Sequence, residues 1–355
     1  MRLQFVASSL LVAATGLGAQ NASFAVGSAN AAPGITAYGT IDVPAAGDSG
    51  LAIPVAVIRG TRPGPVVAFV SGAHGTEYSS IIAMQRLIPR IDAARLRGTV
   101  IIVPLINLPS FLLMTPHVNP TDRKSMNGLY PGDPGGTQTP RVLAAITEQV
   151  VAPADVVVDL HGGDLDEDLR PYSYWFRGGR AAQDSAGFRL ALAFGLDHII
   201  VTDVDPNNGR SLSGQALSRG KTVLVAEAGR SGVVAPGDVT SLVDGSLNVL
   251  GELGMLDRKV TRVAHPTWLD GAGERVAAKT AGVFEPAVAR DTRVTRGQLI
   301  GHTTDFLGRP TGDVTAGIDG LVTFIRGVPS MAVGATLVNI LPVLSAPRPW
   351  RMPGR

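Results

Sequence analysis

The chain has 355 residues, Lys+Arg 31 against Asp+Glu 29 for a net charge of +2, and is 45% hydrophobic and 17% charged. That supports one large domain or two ordinary ones, excludes global disorder, and leaves no Lys/Arg cluster to serve as a nucleic-acid footprint. Cysteine is absent, which excludes disulfides, thiolate metal ligands and a cysteine nucleophile, while 43 glycines and 25 prolines favour turns and short strands over a helical bundle.

The chain starts with the basic pair Met1-Arg2, continues with an apolar run from Phe5 to Ala14, and reaches small residues at Ala29-Asn30-Ala31. This is the pattern of a secretory signal peptide, with an apolar core too short to span a bilayer. Residues 1–31 are therefore expected to direct export to a periplasm or the medium, with cleavage near Ala19 as the competing choice. From Ile35 to Val103 the pattern is strand-like. Ile53 to Ile58, Val66 to Val70 and Val100 to Val103 read as strands, and Arg62-Pro63-Gly64-Pro65 as a turn. Between them Ile81, Ile82, Met84, Leu87, Ile88 and Ile91 have helical spacing, so the spacing predicts a helix over 78–91. A helix over 143–151, a strand over 156–160, a helix over 188–194, strands over 198–202 and 222–226, and a helix over 240–253 follow.

Alternating strands and helices predict an α/β domain over 32–258, with a mixed, mostly parallel sheet flanked by helices. From Lys259 the texture changes to short apolar runs punctuated by Gly, Pro and Asp. Residues 259–355 read as a small all-β domain.

Ligands of such sheets gather beyond the carboxyl ends of the strands. His74 and Glu77 fall there, in Gly72-Ala73-His74-Gly75-Thr76-Glu77, after the 66–70 strand. His161 falls there too, in Asp159-Leu160-His161-Gly162-Gly163, after the 156–160 strand. A lone His-x-x-Glu is commonly a surface or capping pair. With the glycines, the preceding strand and the second His, the set matches an open catalytic zinc site of two His and one Glu. Asp159, two residues before His161, shares its side of the strand and either orients an imidazole or caps the strand end. Glu227 ends the 222–226 strand. A carboxylate is costly to bury there without a task, and proton transfer is favoured over a salt bridge to Arg230. The long polar segment from Asn107 to Asp133 is expected to be functional, with Asn127 a donor to substrate or a turn former. His198, His265 and His302 lack such context; His117 reaches the pocket only if the long loop folds over it.

On these motifs the chain resembles the succinylglutamate desuccinylase/aspartoacylase family, within the zinc carboxypeptidase-like fold group. The resemblance implies that His74, Glu77 and His161 bind one zinc ion, that Glu227 is the general base and acid, and that the substrate is an N-acyl amino acid or related amide. The C-terminal region is similar to the family's lipoyl-barrel-like domain. It is no carrier, since the last lysine is Lys279. In the family an arginine follows the Asn127 position, where this chain has Gly128, and Met114 stands at another position where relatives often carry arginine. Arg123, Arg170, Arg177 or Arg230 would then have to supply the charge that grips a carboxylate.

The reading that results is an exported zinc-dependent hydrolase of a linear amide, acting on a small acylated amine or short peptide. Glu227 is its catalytic residue, and Asn127, Arg230 and Arg123 bind substrate. A metallocarboxypeptidase or cell-wall peptide amidase is the alternative enzyme, and a non-catalytic zinc-containing binding protein is the alternative of another class. No nucleic acid and no membrane span are expected, and assembly as a homo-oligomer stays open.

Overall fold

The computed structural model describes residues 22–347. The basic start and apolar run of the expected export signal lie outside the described residues. In chain order the N-terminal part comprises β1 (Phe24–Val26), β2 (Ala29–Ala31), β3 (Ile35–Val43), β4 (Leu51–Arg59), β5 (Arg62–Ser71), α1 (Tyr78–Leu87), β6 (Arg97–Val103), α2 (Leu108–Leu113) and α3 (Gln138–Ile146). It continues with β7 (Val156–His161), β8 (Glu167–Leu169), β9 (Tyr172–Arg177), α4 (Ala181–Phe194), β10 (His198–Asp203), α5 (Leu212–Ser218), β11 (Thr222–Glu227) and α6 (Pro236–Glu252). Only strands follow: β12 (Thr267–Asp270), β13 (Glu274–Ala277), β14 (Gly282–Pro286), β15 (Arg293–Val294), β16 (Leu299–Thr304), β17 (Pro310–Thr315), β18 (Gly320–Arg326), β19 (Ser330–Met331), β20 (Thr336–Leu341) and β21 (Val343–Leu344).

A ten-stranded mixed sheet in the order β21-β12-β10-β9-β11-β7-β5-β6-β4-β3 is the centre of the fold. β6, β5, β7 and β11 run parallel to one another; β9 pairs antiparallel with β11 and parallel with β10. The central strands are apolar on both faces because both faces are covered. Val67 and Phe69 point into a core shared with Met84, Leu87, Leu190 and Leu247 of α1, α4 and α6. Ala68 and Val70 point the other way, into a core shared with Val142, Ile146 and Leu212 of α3 and α5. No described helix is long and apolar enough to cross a membrane.

Element boundaries differ from the expectations for local reasons. α1 stops at Leu87 and tightens into a 3-10 turn over Ile88–Arg90, because Pro89 has no amide hydrogen to continue the ladder. α3 begins at Gln138, and the predicted tail of that helix is a π-helical turn over Thr147–Val151. α6 begins at Pro236, whose fixed φ suits the first turn of a helix.

The C-terminal strands form two smaller sheets, β13-β20-β18-β15 and β17-β16-β14-β19, around a core that includes Phe284, Ile300, Val322 and Leu337. The division expected at residue 259 is not clean. β12 and β21 belong to the ten-stranded sheet, and β8 leaves the α/β part to pair antiparallel with β18.

Residues 24–31, counted with the export signal in the sequence reading, form the β1–β2 hairpin. Val26, Ala29 and Ala31 are buried in the α3–α5 core, and the Gly27 amide donates to Gln149 Oε1 at 3.1 Å. A protein beginning at Ala32 is expected to lose about 3 kcal/mol of stability relative to one beginning at Asn21, from one valine and two alanine methyls exposed. Urea denaturation of the two forms checks this, and equal midpoints would show the hairpin to be dispensable.

Candidate metal centre

β5 and β7 are adjacent and parallel in the sheet, so the turns that leave their carboxyl ends meet. Two glycines shape the first turn. Gly72 sits at φ +67, and a Cβ on Gly75 would lie 2.3 Å from the Phe111 amide nitrogen at α2. Glu77 is the residue before α1, and its buried carboxylate lies between the two histidines. Oε1 is 2.6 Å from His74 Nδ1, Oε2 is 3.0 Å from His161 Nδ1, and Oε2 also accepts the Gly162 amide at 3.1 Å. On the far side of the second ring, Asp159 Oδ1 lies 3.2 Å from His161 Nε2.

The donor set of His74, Glu77 and His161 lies within 4.8 Å of one another. Burial alone would push both imidazoles down, but Glu77 for His74, and Asp159 with Glu77 for His161, push them up instead. Burial would likewise raise Glu77, yet the charges and hydrogen bonds of His161 and His74 bring its carboxyl down to about 2. The pocket thus favours added positive charge. A nitrogen and oxygen donor set of this kind can hold a divalent cation, which would displace the imidazole protons.

Glu227 ends β11, in register with His161 on β7 and with Tyr172 on β9. Tyr172 Oη donates to Glu227 Oε2 at 3.1 Å. Burial pushes the Glu227 carboxyl up to about 7, opposed by His161 and aided by Glu77. Burial and the Glu227 charge keep the Tyr172 and Tyr174 phenols protonated well above the usual range. They remain donors at neutral pH.

The long loop folds over the centre. Asn127 Nδ2 lies 3.3 Å from His74 Nε2. Met114 ends α2 in left-handed backbone with its side chain exposed; the side chain that reaches the centre from this stretch is His117. Its ring is edge-on to His74, with centroids 6.1 Å apart. Buried Asp164 ties the loop to the first turn, since it accepts from the Thr76 hydroxyl and from the His117 amide. Asp166 Oδ1 lies 2.8 Å from His117 Nε2, and Asp166 Oδ2 accepts from Arg326 Nη1 at 2.8 Å. The bond to Asp166 holds the His117 imidazole at about 9 despite partial burial, so it is cationic at neutral pH. Burial and the Glu77 charge raise Glu167 to about 7. The signal that locates Asp164, Asp166 and Glu167 is their place in an acidic run directly after His161-Gly162-Gly163.

Arg123 and Arg230, expected to bind substrate, are not drawn in. Arg123 is exposed at φ +57, with its amide bound to Asn119 O. Arg230 is exposed and bridges Asp168 and Val233 through its backbone. Of the other arginines considered, Arg170 is paired with Asp197 and Asp291, and Arg177 with Asp203. Gly128 has φ +87, and a Cβ placed on it would meet nothing within 4 Å.

Residues 63–253 match the model of the succinylglutamate desuccinylase/aspartoacylase catalytic domain. The chain is 29% identical over 320 residues to the N-alpha-acetyl-L-2,4-diaminobutyric acid deacetylase of Halomonas elongata, covering 87% of this chain and 92% of that protein. Among solved structures it is similar to a succinylglutamate desuccinylase/aspartoacylase of Rhodobacter sphaeroides, with a TM-score of 0.78 and 25% identity over 88% of this chain and 96% of that one. The product-bound ectoine utilization protein of Ruegeria pomeroyi shares the fold, with a TM-score of 0.79 and 23% identity over 86% and 95% of the two chains.

Proposed function

Because the chain belongs to the succinylglutamate desuccinylase/aspartoacylase family, we propose that it is a zinc-dependent amide hydrolase that deacylates an N-acyl amino acid or related small molecule outside the cytoplasm. The observation that carries this reading is Glu227. Its protonatable carboxyl stands one strand from His161, within reach of the same small volume, and is held by a phenol donor. A pure zinc-binding protein has no need of such a group. The N-acetyl amino acid deacetylase among its relatives supports the substrate class.

His74, Glu77 and His161 would hold the ion, which when bound polarises a carbonyl and makes water a better acid. Glu227 accepts the proton of the attacking water and passes it to the departing amine, a role suited to a carboxyl that titrates near neutrality. Tyr172 fixes the orientation of that carboxyl. Asn127 Nδ2, beside His74, donates to the substrate carbonyl oxygen as negative charge develops there.

Metal analysis of the purified protein, paired with amine release from a panel of N-acetyl-L-amino acids and short peptides, tests the reading. About one zinc per chain and release abolished by a chelator are expected; no release with any member would overturn it. A pH profile follows from the same geometry. Glu227 must be deprotonated to act as a base, so kcat/KM should fall on the acid side. The limb should lie no higher than about pH 7, because a bound cation nearby lowers a carboxyl's pKa. A limb well above pH 7 would assign the proton transfer to another group.

A further inference from the structure

A cavity of about 510 Å³ is lined in part by Gly128, Phe176, Asp203, Asn208, Arg210 and Ser213. Its size is that of a small-molecule subsite. Two walls lead from it to the candidate centre. One is the chain itself, since Gly128 follows Asn127, which touches His74. The other is the aromatic row on one side of β9, where Phe176 stacks on Tyr174, Tyr174 meets Tyr172 edge-on, and Tyr172 binds Glu227.

The charges in the lining are not equivalent. Asp203 is paired with Arg177 at 2.6 Å, and Asp205 accepts the Asn207 amide at 2.9 Å. Arg210 is the one cation in the lining, and no hydrogen bond or ion pair among the described residues engages its guanidinium. Its carbonyl accepts the Tyr130 amide at 3.2 Å, which pins this segment against the loop that carries Gly128. An arginine is thus placed across the open space that the missing side chain at position 128 leaves.

On the deacylase reading above, we propose that this cavity is the subsite for an anionic end of the substrate and that Arg210 is the residue that grips its carboxylate. A guanidinium can meet a carboxylate through two parallel hydrogen bonds, so the charge is supplied from the α5 side instead of the Asn127 loop. The bound end is then a carboxylate carried on the amino-acid part or on the acyl part.

The test compares the wild-type enzyme with Arg210→Gln and Arg210→Lys on N-acetyl-L-amino acids and their carboxamides. Arg210→Gln is expected to raise KM for the carboxylates by about tenfold to a hundredfold, with kcat little changed and the carboxamides unaffected. Lysine should recover part of the loss as a point charge. Calorimetric titration of the metal-free proteins with the same compounds gives a second readout. Should the wild-type release no amine yet bind the carboxylates in preference to the carboxamides, with Arg210→Gln losing that preference, the subsite stands and the deacylase reading falls. Equal effects on both compound sets, no effect on either, or no preference for the carboxylates in the wild-type protein would overturn the assignment of Arg210.

Discussion

Glu227→Gln is expected to keep the zinc and lose about a thousandfold or more in kcat, towards the upper end of what a positioned acid–base group contributes. Glutamine preserves the volume and can still accept from Tyr172 Oη, so the β11 end and the metal ligands should stay in place. It cannot take up a proton, and the attacking water and departing amine then lose their shared carrier. KM should move little, because the change falls on the transition state rather than on ground-state binding. Metal content and steady-state kinetics on one preparation check both halves. A variant that retained turnover would remove Glu227 from the chemistry; one that lost its zinc would make it a structural partner of the ligands.

The second large effect is expected from Glu77→Ala. The carboxylate accepts from His74, His161 and the Gly162 amide at once and is nearly inaccessible to solvent. Its removal takes away a candidate ligand, the charge that the two imidazoles face, and the acceptor of a buried amide. An unpaired buried donor costs about 1–3 kcal/mol, and the two histidines lose the carboxylate they face. Zinc should be absent from the purified variant at equimolar supply, and amine release should fall to background. The metal-free protein should also unfold at lower temperature than metal-free wild type, which separates the structural share from loss of the ion. Zinc retention in Glu77→Ala would place the ligand set elsewhere.

The parallel strands are legible because they are buried on both faces: Val66 to Val70 is an unbroken apolar run, and Val156 to Leu160 is apolar except for Asp159, each run leading into chemically distinct residues. The same property made the convergence of His74, Glu77, His161 and Glu227 readable, since strand ends in a parallel sheet must meet. β9 escaped notice. Tyr172 to Arg177 mixes aromatic and polar residues because it lies next to the Glu227 carboxyl at one end and the cavity at the other. His117 leaves little signal in the sequence because its surroundings are three carboxylates that follow His161, and no local pattern couples a loop histidine to residues some 47 positions away. The position of Arg210 is equally illegible. The pairing of its segment with Tyr130 is a backbone contact between two irregular stretches, and irregular stretches leave no periodicity to read. Arg123 and Arg230 lie near the motifs in sequence, but neither lines the cavity that Arg210 enters.

The pairing of β8 with β18 has a consequence for how the site comes into being during synthesis. The three metal-ligand candidates and Glu227 all precede β18 by more than 90 residues, and the strands that carry them are neighbours, so that part can begin to assemble before β18 is made. Yet Asp166 meets Arg326, 160 residues downstream, the last residue of the strand that β8 must pair with. Until that segment arrives, Asp166 has only His117 as a cationic partner and the β8 edge has no strand beside it, so the anchor of the His117 loop is incomplete. A nascent chain halted before β18 would carry the ligands on an unfinished frame. The strands that follow α6 therefore act as a completion step, so the frame of the centre is finished only once β18 has been made.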